Sequence, residues 1–145
     1  VDVQKVLITV NQGKKVKDKL EKVFKEKQTE LKGEEGKIKK AQEAYQKQVL
    51  VLNDSAKLNK EKEIQELIGA LQNKTMQYQQ EMQNMERDLK KPILENIEKV
   101  VDEVSQSEKV DVTFEVNAAP ILYAKNKVAI TDKVIEVYNK KYPAK

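Results

Sequence analysis

The chain has 145 residues, 36% of them charged and 5% aromatic, with 28 Lys plus Arg against 24 Asp plus Glu. It contains no Cys, His or Trp, which excludes Cys/His zinc sites, thiol nucleophiles and any triad that needs imidazole. So few aromatics cannot fill one large core, the near-balanced charge carries no nucleic-acid signal, and the composition points to long helices.

In chain order, Val1-Asp2-Val3 alternates like the end of a strand. Val6, Leu7, Ile8 and Val10 fit a strand or a short helical turn, and periodicity does not arbitrate over so few residues. Asn11 is a good N-cap, and a helical pattern follows from Gly13. Val16, Leu20, Phe24, Leu31, Ile38, Tyr45 and Leu52 lie on one side of that helix. From Phe24 onward the step is seven, with Lys27, Glu34, Ala41 and Gln48 as companions, so half of the seam is polar or small and pairing should be weak along its middle. Gly33 and Gly36 each cost about 1 kcal/mol relative to Ala in a helix interior. They read either as tolerated surface glycines or as a hinge halfway along an arm.

Asn53-Asp54-Ser55 interrupts the pattern and offers caps for a following helix. A helical hairpin with its tip near 53–57 follows, because short connections join antiparallel neighbours. Arms of roughly 40 residues would reach about 60 Å. The second helix, from about Ser55 to Val104, carries the clearest pattern in the chain. Ile64, Ile68, Leu71, Thr75, Tyr78, Met82, Met85, Leu89, Ile93, Ile97, Val100 and Val104 recur in steps of three and four, the narrow stripe of a coiled coil. Pro92 removes a backbone hydrogen bond inside that helix, and the step from Leu89 to Ile93 to Ile97 is a stutter. Both mark a bend where the arm joins a base.

After Val104 the period changes to two. Val110, Val112, Phe114 and Val116 alternate with Asp111, Thr113 and Glu115, as in a half-buried strand. Asn117 and Pro120 mark a turn, and Ile121-Leu122-Tyr123 reads as a second short strand. Thr131 is a cap with Asp132 just inside, and Ile130, Val134, Ile135, Val137 and Tyr138 give an amphipathic closing helix over about 131–141, ahead of Pro143. The ends of the chain thus form the compact part, and three short strands make a poor sheet alone, so their edges call for pairing between subunits. The fold class is α+β, predominantly helical. A base from 1–12 plus 93–145, with strands near 1–3, 109–116 and 121–124, carries a hairpin arm over 13–92. The base residues expected in oligomer contacts are Val1, Val3, Val110, Val112, Phe114, Val116, Ile121, Leu122, Tyr123, Val134, Ile135 and Tyr138.

Three stretches carry a resemblance. The first is Val-Asp-Val-Gln-Lys-Val at 1–6 with Gly13-Lys14 and a long charged helix. The second is Pro92-Ile93-Leu94 with Ile97, Val100, Val101, Glu103 and Val104. The third is Val110 to Val116, then Ala119-Pro120-Ile121-Leu122-Tyr123-Ala124, then Ile130-Thr131-Asp132-Lys133-Val134-Ile135 with Tyr138-Asn139. In this order the chain resembles the Skp/OmpH family of periplasmic chaperones over its whole length. The resemblance implies a homotrimer whose base is a small β-barrel with strands from all three subunits, and whose hairpin tentacles surround a cavity. It implies ATP-independent holding of unfolded outer-membrane proteins in the periplasm, with no cofactor and no metal. The chain begins at Val1 without Met or signal peptide, as a processed or trimmed product would. Family members carry several strand residues ahead of Val-Asp-Val; with Val1–Val3 as the strand, Gln4–Thr9 reads as a helical turn.

A holdase needs surfaces that bind unfolded chain weakly and arms that move. Ile38, Tyr45, Val49, Leu50, Val51, Leu52 and Leu58 supply apolar footholds near the tip, unless they only zip the hairpin. Leu50 and Val51 lie beside the seam positions. Lys37, Lys39, Lys40, Lys47, Lys57, Lys60 and Lys62 cluster around the tip, either as a solvated face or as an attraction for acidic clients and for peripheral contact with anionic lipid. Gly33, Gly36 and Pro92 are the hinge candidates. Catalysis has no support: Glu34-Glu35 lies on a solvated helix, and Gly13-Lys14-Lys15 lacks the rest of a phosphate loop. A prefoldin-like arrangement would place strands between the long helices, where Asn53–Ser55 leaves no room. A coiled-coil spacer or envelope tether would want a continuous apolar seam on both helices.

Overall fold

The structure is a computed structural model describing residues 1–118 and 121–144. Four helices follow in order: α1 (Val3–Thr9), α2 (Asn11–Gln48), α3 (Asp54–Ser107) and α4 (Thr131–Lys141). The chain divides into two compact units, Val1–Leu20 with Met85–Lys145, and Glu21–Asn84. Contacts assign residues 13–20 and 85–92, expected in the hairpin, to the first unit; Val16, for example, packs on its core.

In the first unit the short apolar run after Val1 becomes helix α1 rather than a strand. Asp2 caps it, its carboxylate accepting the Lys5 N–H at 2.7 Å, and Val6, Leu7 and Val10 are buried. Those three side chains meet Ile93, Ile97, Val100 and Val104 from α3, with Ile130, Val134 and Tyr138 from the α4 end of the chain. Burying each such side chain is worth about 1.5–3 kcal/mol, which outweighs the weak strand preference of a seven-residue β-branched run. Tyr138 is wholly buried, donates its hydroxyl to Gln12 Oε1 at 2.7 Å, and stands 5.0 Å from the Tyr142 ring centroid.

The polar ends of these helices are satisfied by one another. The Asn11 N–H donates to Asn139 Oδ1 at 2.9 Å, so a residue of α4 caps α2 and Asn11 is not the cap its type suggests. Thr131 likewise does not cap α4; its hydroxyl accepts the Asp2 N–H at 3.0 Å, while Ile130 occupies the cap position without a side-chain bond. Lys5 reaches Asp132 at 2.9 Å. Gly13 allows α2 to start against α1, since a Cβ there would lie 1.7 Å from the Leu7 carbonyl oxygen.

No strand forms among the described residues. Of the expected strands, the one near 1–3 gives way to α1 from Val3 onward, and those near 109–116 and 121–124 are extended or turn-like stretches. The Val1 ammonium donates to the Phe114 carbonyl at 2.7 Å and the Val116 N–H donates to the Val1 carbonyl at 2.9 Å. That is a single parallel rung on either side of Glu115. One rung is no ladder: a strand persists only when a neighbour satisfies its successive backbone groups. The expected turn at Asn117–Pro120 reaches Ala119 and Pro120, which lie outside the described residues. Helix α3 ends on Lys109 in the left-handed region (φ 55°), with the Val110 N–H returning to the Ser105 carbonyl at 3.2 Å, a capping geometry that usually selects glycine.

Candidate functional site

The second unit, Glu21–Asn84, holds most of α2 to its C-terminal end and α3 from its first residue. Their connection is Val49–Asn53, ahead of the expected 53–57. Asn53 explains the difference: its Oδ1 accepts the Ala56 N–H at 2.8 Å and its carbonyl accepts the Lys57 N–H at 2.9 Å. The polar triplet therefore opens α3, and the apolar stretch before it makes the turn.

The stripe on α3 behaves as its spacing demands. Within this unit Ile64 is buried and Ile68, Leu71, Thr75, Tyr78 and Met82 are half-buried; in the other unit Met85 and Leu89 are half-buried and Ile93, Ile97, Val100 and Val104 buried. On α2 the seam runs through Val23, Lys27, Leu31, Glu34 and Ile38, none of them exposed. Phe24, expected on the seam, is 55% exposed. From Leu20 the step to Val23 is three, so the register leaves the seven-residue series at that point.

The polar seam positions are ion-paired across the hairpin. Lys27 pairs with Glu81 and stands 3.7 Å from the Tyr78 ring centroid. Lys74 pairs with Glu30 and reaches Glu34 at 3.7 Å, while the Tyr78 hydroxyl donates to Glu30. Hydrogen bonds from Lys74 and then Tyr78 hold the Glu30 carboxyl below its usual range, and bonds from Lys27 and then Gln77 do the same for Glu81. The bond to Glu30 raises Lys74 in turn. The sequence reading marked Lys27 and Glu34 as weak points. Opposite charges at positions 81 and 74, which face 27 and 34 in an antiparallel hairpin, are the signal that identifies the pairs.

The expected apolar footholds separate by burial. Ile38 is buried in the hairpin seam, the zipping alternative rather than the foothold. Tyr45, Val49 and Leu52 are half-buried, and the Tyr45 hydroxyl donates to Glu61, which raises its pKa. Leu50, Val51 and Leu58 stand in water at 94%, 84% and 66% exposure. Of the seven lysines, five have partners within their own helix: Lys37 with Glu34, Lys39 with Glu43, Lys57 with Asp54, Lys60 with Glu63 and Lys62 with Glu66. Lys40 and Lys47 have no ion-pair partner among the described residues. Nothing lies within 4 Å of a Cβ built at Gly33 or Gly36, so packing does not demand glycine at either, and α2 is continuous through both. Helix α3 passes through Pro92, which is exposed.

In the first unit Val134 and Tyr138 are core, and Val1, Val3 and Ile135 pack against it. Val110 is half-buried. Val112, Phe114, Val116, Ile121, Leu122 and Tyr123 are all exposed, Leu122 almost completely. Among the described residues no acidic cluster is arranged to hold a metal ion, and no helix is long and apolar enough to cross a membrane.

These features define a helical-hairpin protein whose uncovered apolar side chains lie partly on its helices, as at Phe24, Leu58 and Met76, and partly on turn and irregular segments, as at Leu50, Val51, Val112 and Leu122. The family model for outer membrane protein (OmpH-like) matches residues 1–138, and the chain belongs to the OmpH-like family. That family is non-enzymatic. A candidate outer membrane chaperone (OmpH-like) from Caulobacter crescentus CB15 has a crystal structure similar to this one, with a TM-score of 0.82 and 20% identity over 95% of this chain and 80% of that one. At that identity the likeness is one of fold. A search of curated proteins finds no match to this chain.

Proposed function

We propose that the chain is an ATP-independent holdase that keeps unfolded outer-membrane proteins soluble in the periplasm, acting as a homotrimer whose hairpins surround a cavity. The carrying observation is the set of large apolar side chains held in water on the hairpin unit: Phe24, Leu50, Val51, Leu58 and Met76. Leu50 and Val51 are neighbours in the turn, while Phe24, Leu58 and Met76 stand apart from them along the helices, so the apolar surface comes in small patches and none builds a lock, as transient capture of many sequences requires. In the base, the alternation of exposed Val112, Phe114 and Val116 supports strand pairing with other subunits to complete a barrel, because an apolar extended edge is stable in water only when covered. Family membership and the fold of the Caulobacter protein support the same reading.

The test dilutes a urea-denatured β-barrel membrane protein into buffer with the purified chain and no nucleotide, and follows light scattering beside solution mass. Suppressed aggregation by a species three times the chain mass is the expected result. Aggregation at the rate seen without the chain would remove the holdase reading, and a stable folded single subunit would remove the trimer.

A further inference from the structure

Between α2 and α3 in the hairpin unit lies an open groove of about 420 Å³, lined by Gln42, Tyr45, Gln46, Glu61, Ile64 and Gln65. We propose that this groove is a main-chain docking site, in which the three glutamine amides hydrogen-bond the backbone of an extended polypeptide segment whatever its side chains. The proposal rests on the holdase reading for its ligand and deepens it by naming the chemistry of one contact site.

Three observations carry it. First, the side chains of Gln42, Gln46 and Gln65 are exposed and their amides have no hydrogen-bond partner among the described residues, so water alone occupies them and a ligand displaces no internal bond. Second, the lining carries one ionisable carboxylate, Glu61, and it already accepts the Tyr45 hydroxyl. The lining open to a ligand is more apolar than polar, and its polar groups are the three amides beside Tyr45 and Glu61. A primary amide offers a carbonyl and an NH₂ group together, the same pair that a peptide unit presents, so the match is one of donor to acceptor rather than of charge.

Third, the spacing fits. Gln42 and Gln46 lie four residues apart on α2, a rise of about 6 Å. The N–H and C=O groups along one edge of an extended chain repeat every two residues, about 6.6–6.8 Å. Successive amides of the helix thus fall near successive edge groups of a strand, and Gln65 meets the ligand from the opposite wall. Main-chain bonding of this kind gives affinity without sequence choice, as when a strand adds to a sheet edge.

The experiment measures binding of the full chain to a fluorescein-labelled nine-residue peptide alternating valine with threonine and lysine, and to the same peptide N-methylated at every second amide. The Gln42→Leu/Gln46→Leu/Gln65→Leu variant, which replaces exposed amides with good helix formers of similar size, is measured with both, and its helical content is checked by circular dichroism. The expected result is at least tenfold weaker binding of the N-methylated peptide by the wild type, at least tenfold weaker binding of the unmodified peptide by the variant, and no sensitivity to methylation in the variant. Equal binding of the two peptides by the wild type overturns the proposal, as does binding by the variant equal to or tighter than the wild type. The β-barrel dilution assay on the wild type separates the two readings. A chain that holds the barrel protein but ignores methylation loses only the groove, and a chain that fails to hold it loses the holdase reading.

Discussion

The sharpest test of the base packing is Gly13→Ala. The added methyl would stand 1.7 Å from the Leu7 carbonyl oxygen and 3.4 Å from Val10 Cγ2. A relaxed carbon–oxygen contact is about 3.3 Å, so α1 and the start of α2 must part by about 1.6 Å. The obstacle is backbone, and α1 carries the buried Val6, Leu7 and Val10, so the strain sits at the upper end of overpacking, about 3 kcal/mol. Alanine returns about 1 kcal/mol through helix propensity, leaving a net loss of about 2 kcal/mol. Gly33→Ala, Gly36→Ala and Gly69→Ala meet open space and should each gain about 1 kcal/mol. Urea unfolding followed by helical circular dichroism at one fixed protein concentration reads both signs. A Gly13→Ala chain as stable as the wild type would refute the close approach of the two helices.

Tyr138→Phe removes a hydrogen bond to Gln12 and should cost about 1 kcal/mol, while Tyr138→Ala empties a wholly buried site and should cost about 3–5 kcal/mol; thermal melts separate them. Lys109→Gly relieves a left-handed residue at the α3 terminus and should raise stability by about 0.5–1 kcal/mol in the same melts. Glu30 and Glu81 sit below the usual carboxylate value of 4.5, so their share of hairpin stability is present above that pH and is lost as pH falls through the depressed values. Lys74 sits above 10.5, so its share is present below that pH and is lost as pH rises beyond it. Melting temperature should be flat between about pH 5 and 10 on account of these groups, and Glu30→Gln/Glu81→Gln should flatten the acid limb. Leu50→Ser/Val51→Ser changes side chains that touch almost nothing and should leave the melt unchanged while weakening client capture in the dilution assay; an unchanged capture would take the turn out of the client surface.

What the sequence makes legible follows from how many residues share one pattern. The α3 stripe repeats often enough that the helical period is unambiguous, and none of its members is exposed. Helix α4 is read correctly for the same reason. Helix α1 is left open by its residues alone, because two turns of β-branched residues fit either period and the base core decides between them; Gln4–Thr9 is helical, the alternative the family resemblance favours. The alternation at Val110–Val116 is a sound strand pattern, but a ladder is a property of two segments and the single chain supplies one rung. Phe24 misleads because a heptad count took the larger apolar residue in place of its neighbour Val23. Gly13 and the Asn139 cap on α2 depend on contacts between residues far apart in the chain, which no local pattern announces.

The charged rungs between Lys27 and Glu81, and between Lys74 and Glu30, have a consequence for how the hairpin breathes. When two helices zipped by grease come apart, the bared strip seeks any similar surface and the protein joins the aggregate it meets. Here separation at those rungs hands ions back to solvent, where hydration compensates them. Local opening at those rungs therefore bares less sticky surface than opening at Ile38 and Ile64 would, and leaves the molecule free to close again.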